Sequence, residues 1–440
     1  MKSALPKVLH AVAGRAMLAH VLGAAQQLSP KGICVVYGHG GEQVRAAFAD
    51  ETLSWAKQEP PRGTGHAALQ ALPYLPQDGV TLVLYGDVPL ISPDTLARLV
   101  SSASDGNLAW LTMRVRNPAG LGRVLRDARG KVLAIIEHKD ASEAQRRIDE
   151  INTGFLASPT AWLRKWLPAL RNNNAQSEYY LTDVLAMAVS EGRTVETFSP
   201  QAEYEVTGVN SKDQLAEVER AAQQQTALRL MTAGVTLIDP ARFDVRGELS
   251  CASDVSIDVN CIFEGKVHLA ANVKIGANCI LRDCMIGEGS EILPFSSIDG
   301  ATLGRATRIG PYARIRPGTT LADEVHIGNF VEVKASDIGA GSKANHLSYV
   351  GDSSVGKNVN VGAGTITCNY DGANKHRTII EDNVHIGSDV QLVAPVTIGE
   401  GADIGAGTTV WKNVPPGTLT VNEKSQVTKS GWTRPKKEKQ

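Results

Sequence analysis

Residues 386–410 read IGSDVQLVAPVTIGEGADIGAGTTV, which sets an aliphatic side chain at every sixth position: Ile386, Leu392, Ile398, Ile404 and Val410. The same unit of aliphatic, glycine and small or polar residues recurs upstream as Ile275-Gly276, Ile286-Gly287, Leu303-Gly304, Ile309-Gly310, Ile327-Gly328, Ile338-Gly339, Val355-Gly356 and Val361-Gly362. A six-residue period with small residues at the bends marks a parallel β-helix. The aliphatic side chain points into the coil, and the next residue turns the corner, where glycine avoids a Cβ clash. The repeat predicts a coil over about 250–411. In such a rigid prism, function is expected where the period breaks.

The composition is that of a soluble globular protein. The 45 Lys and Arg against 46 Asp and Glu leave a net charge of −1, which argues against a general nucleic-acid or membrane-surface binder. No apolar run reaches the roughly 18 residues of a membrane span, and no signal peptide is visible. The six cysteines (Cys34, Cys251, Cys261, Cys279, Cys284, Cys368) form no CxxC pair, and several fall at aliphatic positions of the repeat. They read as small hydrophobes of a reduced, cytoplasmic protein.

Residues 1–210 alternate strands and helices. ICVVY (33–37) and TLVLY (81–85) have the aliphatic continuity of buried parallel strands, and helices are expected over 15–28, 41–49, 64–72, 92–101 and 181–192. This pattern implies a doubly wound α/β domain. The stretch 211–233, free of Gly and Pro, predicts a linking helix. The expected domains are 1–212, a helical linker 213–233, and 234–440, ending in a solvated basic tail (Lys436, Lys437, Lys439).

Asp87, in the turn after TLVLY, stands where open α/β sheets bind ligands and is placed to hold Mg²⁺ on a nucleotide phosphate. The turn Gly63-Thr64-Gly65-His66 opens a helix with backbone N–H groups suited to a base or phosphate. Lys7 offers a charge to a phosphate. Glu137, Asn152-Thr153-Gly154 and Gly208-Val209-Asn210 add polar groups in turns, Asn210 being a possible second metal ligand.

In the C-terminal half, residues 329–334, 342–352 and 365–378 interrupt the aliphatic period. They carry His346, Tyr349, Asn369, Tyr370, Lys375 and Arg377. His346 is the candidate general base, since removing a proton from an attacking amine suits an imidazole. Glu332 is the expected partner fixing its tautomer. A corner N–H such as that of Ala363 is expected to meet an oxyanion, and Arg316, Lys334 and Lys375 to meet a sugar phosphate.

The blocks SALPKVLH, GTGHA, LYGDVPLIS, EHKDAS, EINTG, NNNAQSEYYLTD, GNFVEVK, HLSYVGD, GAGTITCNYDGANK and VAPVTIG span the chain. Together they resemble the bacterial family of bifunctional N-acetylglucosamine-1-phosphate uridylyltransferases/glucosamine-1-phosphate N-acetyltransferases. The resemblance implies acetyl transfer from acetyl-CoA to glucosamine 1-phosphate. Uridylyl transfer from UTP to N-acetylglucosamine 1-phosphate would follow, giving UDP-N-acetylglucosamine for cell-wall and lipopolysaccharide synthesis. It implies a nucleotidyltransferase domain, a left-handed hexapeptide coil and a homotrimer. Matching nucleotide-sugar residues are Lys7, Gln58, Gly63, Thr64, Tyr85, Gly86, Asp87, Gly122, Glu137, Asn152 and Asn210, with Asp87 and Asn210 as Mg²⁺ ligands. In the acetyltransferase half His346 matches the base, Arg316, Lys334, Tyr349, Asn360 and Lys375 the sugar-phosphate contacts, and Ala363, Asn369, Tyr370, Ser388 and Ala406 the acetyl-CoA contacts.

Two departures stand out. The family opens with a strand and a glycine-rich loop, LAAGxGTRM. This chain starts at a methionine that matches the last residue of that motif, so the first strand and loop are expected to be missing and uridylyl transfer to be poor. Glu423, with Lys424 beside it, stands where the family often turns a basic residue towards coenzyme A. Two other readings are a transferase for a different sugar or acyl group, and a non-catalytic regulatory or assembly subunit. The loops over 329–378 oppose the first, and His346 grouped with Arg316, Lys334 and Lys375 opposes the second.

Overall fold

The computed structural model describes all of the 440 residues except His39, Lys424, Lys436, Glu438, Lys439 and Gln440. The possible coenzyme A contact at Lys424 and two of the three tail lysines therefore lie outside the described residues. The chain forms two compact units, Met1–Ala222 and Gln223–Gln440. The division falls inside the helix Lys212–Thr232. The first turns of that helix bury Val218 and Ala222 within the first unit. Its last turns bury Ala227 and Leu230 in the core of the second, where Gln223 exchanges two hydrogen bonds with the Val245 backbone at 2.8 Å each. No described helix is long and apolar enough to cross a membrane.

The first unit is α/β. Its spine is the strand Glu150–Pro159, with Leu108–Arg114 antiparallel along one edge. On the other edge Arg123 meets Ile151, and Val80–Val83 runs antiparallel to residues 156–159. The helices Met17–Gln26, Gly41–Ala47, Thr64–Ala71 and Asp183–Ser190 fall inside the expected stretches, and Pro93–Ser104 runs three residues past the expected end at 101. The strands depart from expectation. Both aliphatic runs are expected to be parallel strands; Cys34–Tyr37 does pair parallel, with Ser54–Lys57 in a separate two-stranded sheet, but Val80–Val83 pairs antiparallel with the spine. Nor are they buried as expected: every residue of Cys34–Tyr37 and Val80–Val83 is half-buried. Aliphatic continuity carries no information about which edge a strand pairs with or what covers its faces.

The second unit is a parallel β-helix. One face is an eleven-stranded sheet; the other two are arms of a sixteen-stranded sheet that joins them through the longer strand Ile280–Ile286. Each face buries one column of aliphatic side chains. On the eleven-stranded face the column is Ile275, Ile292, Ile309, Ile327, Ala344, Val361, Ile386 and Ile404, each paired with the next. The coil starts at Thr236–Leu237 and ends at Leu419–Thr420, beyond the 250–411 expected on both sides. The first and last turns escaped notice because they lack the aliphatic-glycine doublet.

Cys251, Cys261, Cys279 and Cys284 are free thiols in or against this core. Burial pushes them up, Cys251 and Cys261 to about 11, Cys279 and Cys284 to about 12, so they pack as apolar groups.

The corner glycines are a requirement of space. Coils stack at the 4.7–4.9 Å spacing of paired strands, and a Cβ on Gly339 would lie 2.4 Å from the carbonyl carbon of Gly356 on the next coil. Gly339→Ala is expected to cost about 1–3 kcal/mol by overpacking, read as a lowered Tm or urea midpoint. Unchanged stability would show that the coil spacing yields freely.

Candidate active sites

In the first unit, the strand Val80–Val83 leads into the turn Tyr85-Gly86-Asp87. The next helix is capped by Ser92, whose Oγ accepts from Thr95 N–H at 3.1 Å, so Asp87 is not its cap. Instead Asp87 Oδ2 accepts from Lys7 Nζ, and the same ammonium donates to Asn210 Oδ1 at 2.8 Å. The Val209 N–H, donating to the Asp87 carbonyl at 2.9 Å, holds together the turns that carry Asp87 and Asn210. Two hard oxygens, one of them anionic, thus converge on one cation. That donor set fits Mg²⁺, which takes one or two protein oxygens and completes its shell with phosphates and water.

Beside this group, the Tyr85 ring packs edge-on to Phe155 at 5.9 Å. It also occupies the space a side chain would fill at Gly154, where a Cβ would sit 2.4 Å from the ring and φ is +91°. Burial, then the charges of Glu137 and Asp87, push the Tyr85 phenol up, so it remains a donor. Gly122, Glu137 and Asn152 adjoin: a Cβ at Gly122 would be 3.3 Å from Glu137 Oε2 and 3.4 Å from Asn152 Cβ. Asn152 Oδ1 accepts from Trp110 Nε1 at 2.7 Å and Gly154 N–H at 2.8 Å, which leaves the amide nitrogen as a donor. Burial pushes the Glu137 carboxyl up, opposed by the hydrogen bond from Thr182 at 3.1 Å.

Gly86 lies against Leu18 and Val8, next to Lys7. Gln58 donates to the Gly63 carbonyl at 3.0 Å, and Thr64 Oγ1 accepts from Leu181 N–H at 3.1 Å. These three residues form a knot of their own, with no hydrogen bond to the other groups among the described residues.

In the second unit the residues fall into two groups. The first is a line along one corner. Asn329 pairs in register with His346, and Lys343, Asn360, His385 and Asp403 are paired in turn, so the residues three further on, His346, Ala363, Ser388 and Ala406, occupy successive coils. From His346 to Ala406 is three coil steps, roughly 14 Å. His346 is exposed, and its Nδ1 lies 2.8 Å from Asn329 Oδ1. The expected partner, Glu332, is engaged elsewhere: it accepts from Arg316 at 2.8 Å and Arg314 at 3.4 Å. The expectation placed Glu332 by nearness in sequence; its side chain belongs to the adjoining face, where two guanidinium groups hold it.

The second group is a cationic cup around the corner. Lys334 Nζ lies 3.3 Å from Asp352 Oδ2, both largely buried. Asn369 Nδ2 donates to Asp352 and, at 3.2 Å, to Tyr349 Oη. Coil to coil the column takes 17 or 18 residues, but 25 from Val361 to Ile386; the excess is the loop that carries Asn369, Tyr370 and Lys375. Asp371 folds this loop by accepting from the N–H groups of Ala373 and Asn374 at 2.8 and 2.7 Å. Lys375 thereby reaches Lys334. A hydrogen bond from Lys334, then its charge, with a further push from Arg316, drive the Lys375 pKa down, while Lys375 and Asp352 hold Lys334 up. The two lysines and Arg316 adjoin, with Asp352 on Lys334 and Glu332 on Arg316, and an anion brought there would hold Lys375 in its charged form.

Asn360 is half-buried on the eleven-stranded face, and Tyr370 is exposed with its hydroxyl on the Gly372 carbonyl at 2.7 Å. Neither makes a hydrogen bond to the cup among the described residues. Glu423 is exposed, next to Asn422, whose Oδ1 accepts from Thr409 N–H at 2.6 Å. Asp352, Gly351 and Asn329 were missed by sequence reasoning, although all three lie in the blocks HLSYVGD and GNFVEVK. Nothing in the repeat marks which side chain of a block meets which neighbour.

Comparison with known proteins adds to this geometry. Residues 1–230 match a family described as the MobA-like NTP transferase domain, 245–338 the GMPPB C-terminal domain, and 377–410 bacterial transferase hexapeptide (six repeats). The chain is similar to the bifunctional protein GlmU of Azoarcus sp. (strain BH72), 60% identical over 439 residues, covering 100% of this chain and 97% of the relative. It is 59% identical to the GlmU proteins of Aromatoleum aromaticum and Burkholderia multivorans, each over 439 residues and 100% of this chain, and 96% and 97% of those relatives.

Gly351 makes the cup possible, since a Cβ there would lie 2.3 Å from Tyr349 Oη and 2.8 Å from Asn369 Nδ2. Gly351→Ala is expected to displace both groups and weaken glucosamine 1-phosphate binding about tenfold or more by calorimetry, a loss of about 1.4 kcal/mol, with little change in Tm. Unaltered affinity would remove Tyr349 and Asn369 from the site.

Proposed function

The chain belongs to the GlmU family of bifunctional transferases, and from that membership we infer how its residues divide the work. The protein acetylates glucosamine 1-phosphate from acetyl-CoA and transfers a uridylyl group from UTP to N-acetylglucosamine 1-phosphate. The product, UDP-N-acetylglucosamine, serves cell-wall and lipopolysaccharide synthesis. We assign uridylyl transfer to residues 1–212, linkage to 213–233 and acetyl transfer to 234–440, in a cytoplasmic enzyme.

In acetyl transfer, Arg316, Lys334 and Lys375 grip the phosphate of the amino sugar, with Tyr349 and Asn360 on the sugar. Acetyl-CoA runs along the corner of small residues, Ala363, Ser388 and Ala406, with Asn369 and Tyr370 beside it. The amine nitrogen attacks the thioester carbon, and His346 Nε2 takes the proton the nitrogen sheds. The Ala363 N–H donates to the oxyanion. Collapse of the tetrahedral intermediate breaks the C–S bond, and the imidazolium returns its proton to the departing thiolate. The observation that carries this reading is His346 at the head of a line of small residues, one corner away from the basic side chains Arg316, Lys334 and Lys375. A non-catalytic subunit would have no use for that arrangement.

In uridylyl transfer, a phosphate oxygen of the sugar phosphate attacks the α-phosphorus of UTP in line and pyrophosphate leaves. Asp87 and Asn210 would hold Mg²⁺, which supplies neutralisation of phosphate charge, and Lys7 supplies a further positive charge. Gln58, Gly63, Thr64 and Gly86 position the nucleotide; Tyr85, Gly122, Glu137 and Asn152 position the sugar.

The protein is proposed to act as a homotrimer. Phe295, Tyr312 and Phe330 stack on successive coils at 4.9 and 5.3 Å, Leu347 continues the row, and all four side chains are about half exposed. So large an apolar ladder, ending beside Asn329 and His346, fits burial against another copy.

His346→Ala is expected to lower acetyl transfer by a thousandfold or more in a thiol-release assay, leaving the oligomer intact; activity within tenfold of the parent would refute the base. Phe330→Arg is expected to shift the mass measured by light scattering towards the monomer and to lower acetyl transfer with it. A trimer that tolerates the arginine would place the interface elsewhere.

A further inference from the structure

We propose that Asn329 is the positioning residue of the acetyl-transfer base: its amide oxygen holds the His346 imidazole with the proton on Nδ1 and leaves Nε2 as the proton acceptor. The proposal rests on the reading of His346 as that base.

The contact is specific. Asn329 Oδ1 lies 2.8 Å from His346 Nδ1, and a carbonyl oxygen can only accept, so Nδ1 must donate. A neutral imidazole has one N–H, so its lone pair falls on Nε2. The coil fixes the pair from both sides. Asn329 and His346 are register partners, the Asn329 carbonyl accepts from Leu347 N–H at 3.1 Å, and Gly328 brings the chain so close to Asn345 that a Cβ would lie 2.0 Å from its carbonyl oxygen.

The coil itself does not need an asparagine there. The positions three residues past the paired Glu291, Arg308, His326, Lys343, Asn360, His385 and Asp403 are Pro294, Pro311, Asn329, His346, Ala363, Ser388 and Ala406. Proline, alanine and serine all serve at this corner. The amide stands only on the coil next to the imidazole.

Its neutrality matters as much as its place. A carboxylate at the same distance would stabilise the imidazolium and withdraw free base near neutral pH. An amide oxygen orients the ring without that charge. The one carboxylate close in sequence, Glu332, is drawn away by Arg314 and Arg316.

The test uses the full chain, with acetyl-CoA and glucosamine 1-phosphate, and follows thiol release against pH. Asn329→Ala is expected to lower kcat by about 10- to 100-fold while KM for both substrates stays within about twofold. Asn329→Asp, which preserves the acceptor and the shape, is expected to recover most of the rate at alkaline pH and to move the acid limb of kcat/KM upward by about one pH unit. A merely structural asparagine would lower Tm or raise KM and leave that limb in place. The proposal is overturned if Asn329→Ala keeps kcat within twofold, or if Asn329→Asp leaves the acid limb where it was. His346→Ala separates the two claims. If it stays active, the base itself is wrong; if it is inactive while both Asn329 variants behave as the parent, only the positioning role fails.

Discussion

The second unit depends on one constraint: every coil must lay its backbone directly on the one before it. Parallel strands at that spacing satisfy each other's N–H and C=O groups, and the interior closes with columns of Ile, Val and Leu. At the corners there is no room for a side chain between coils, so glycine stands at Gly287, Gly304, Gly339 and Gly362, where a Cβ would meet the backbone of the next turn below 3 Å. The wall that results has no slack. Function has to attach to its outside.

It does so in two ways. One is the outward row at a corner, where side chains on successive coils line up with a spacing set by the strands. Asn329, His346, Ala363, Ser388 and Ala406 form such a row. The other is an insertion. The loop between Val361 and Ile386 leaves the coil, is tied by Asp371, and carries Lys375 to Lys334. A rigid scaffold under a short, internally braced loop holds basic side chains from separate coils beside one another, with Asp352 bracing Lys334.

The first unit uses a different scaffold for a similar purpose. Lys7, Asp87 and Asn210 come from three separate places in the chain and meet because the turn at Asp87 and the segment at Val209 share a backbone hydrogen bond. Tyr85 is seated in the space left by Gly154. In both units a glycine is absent as a side chain so that a functional side chain can be present.

The residues alone determined a good deal. The period of six gave the coil and its inward columns, because aliphatic residues at every sixth position share one interior when the chain turns a corner after each and closes a coil after three. The breaks in that period pointed to His346, Lys334 and Lys375, since a polar residue in a repeat of aliphatics has to be outside. What only the tertiary structure decided is who meets whom across coils. The coils are 17, 18 or 25 residues long, and a slip of one residue sends a side chain to the opposite face. Hence the imidazole finds the amide of Asn329 and not the carboxylate of Glu332, and Asp352 emerges as the anion that anchors Lys334. In the first unit, likewise, hydrophobic runs reveal that a strand is there, but how far it is covered, the edge it pairs with, and so the sheet that holds Asp87, are fixed by chain segments far away in sequence.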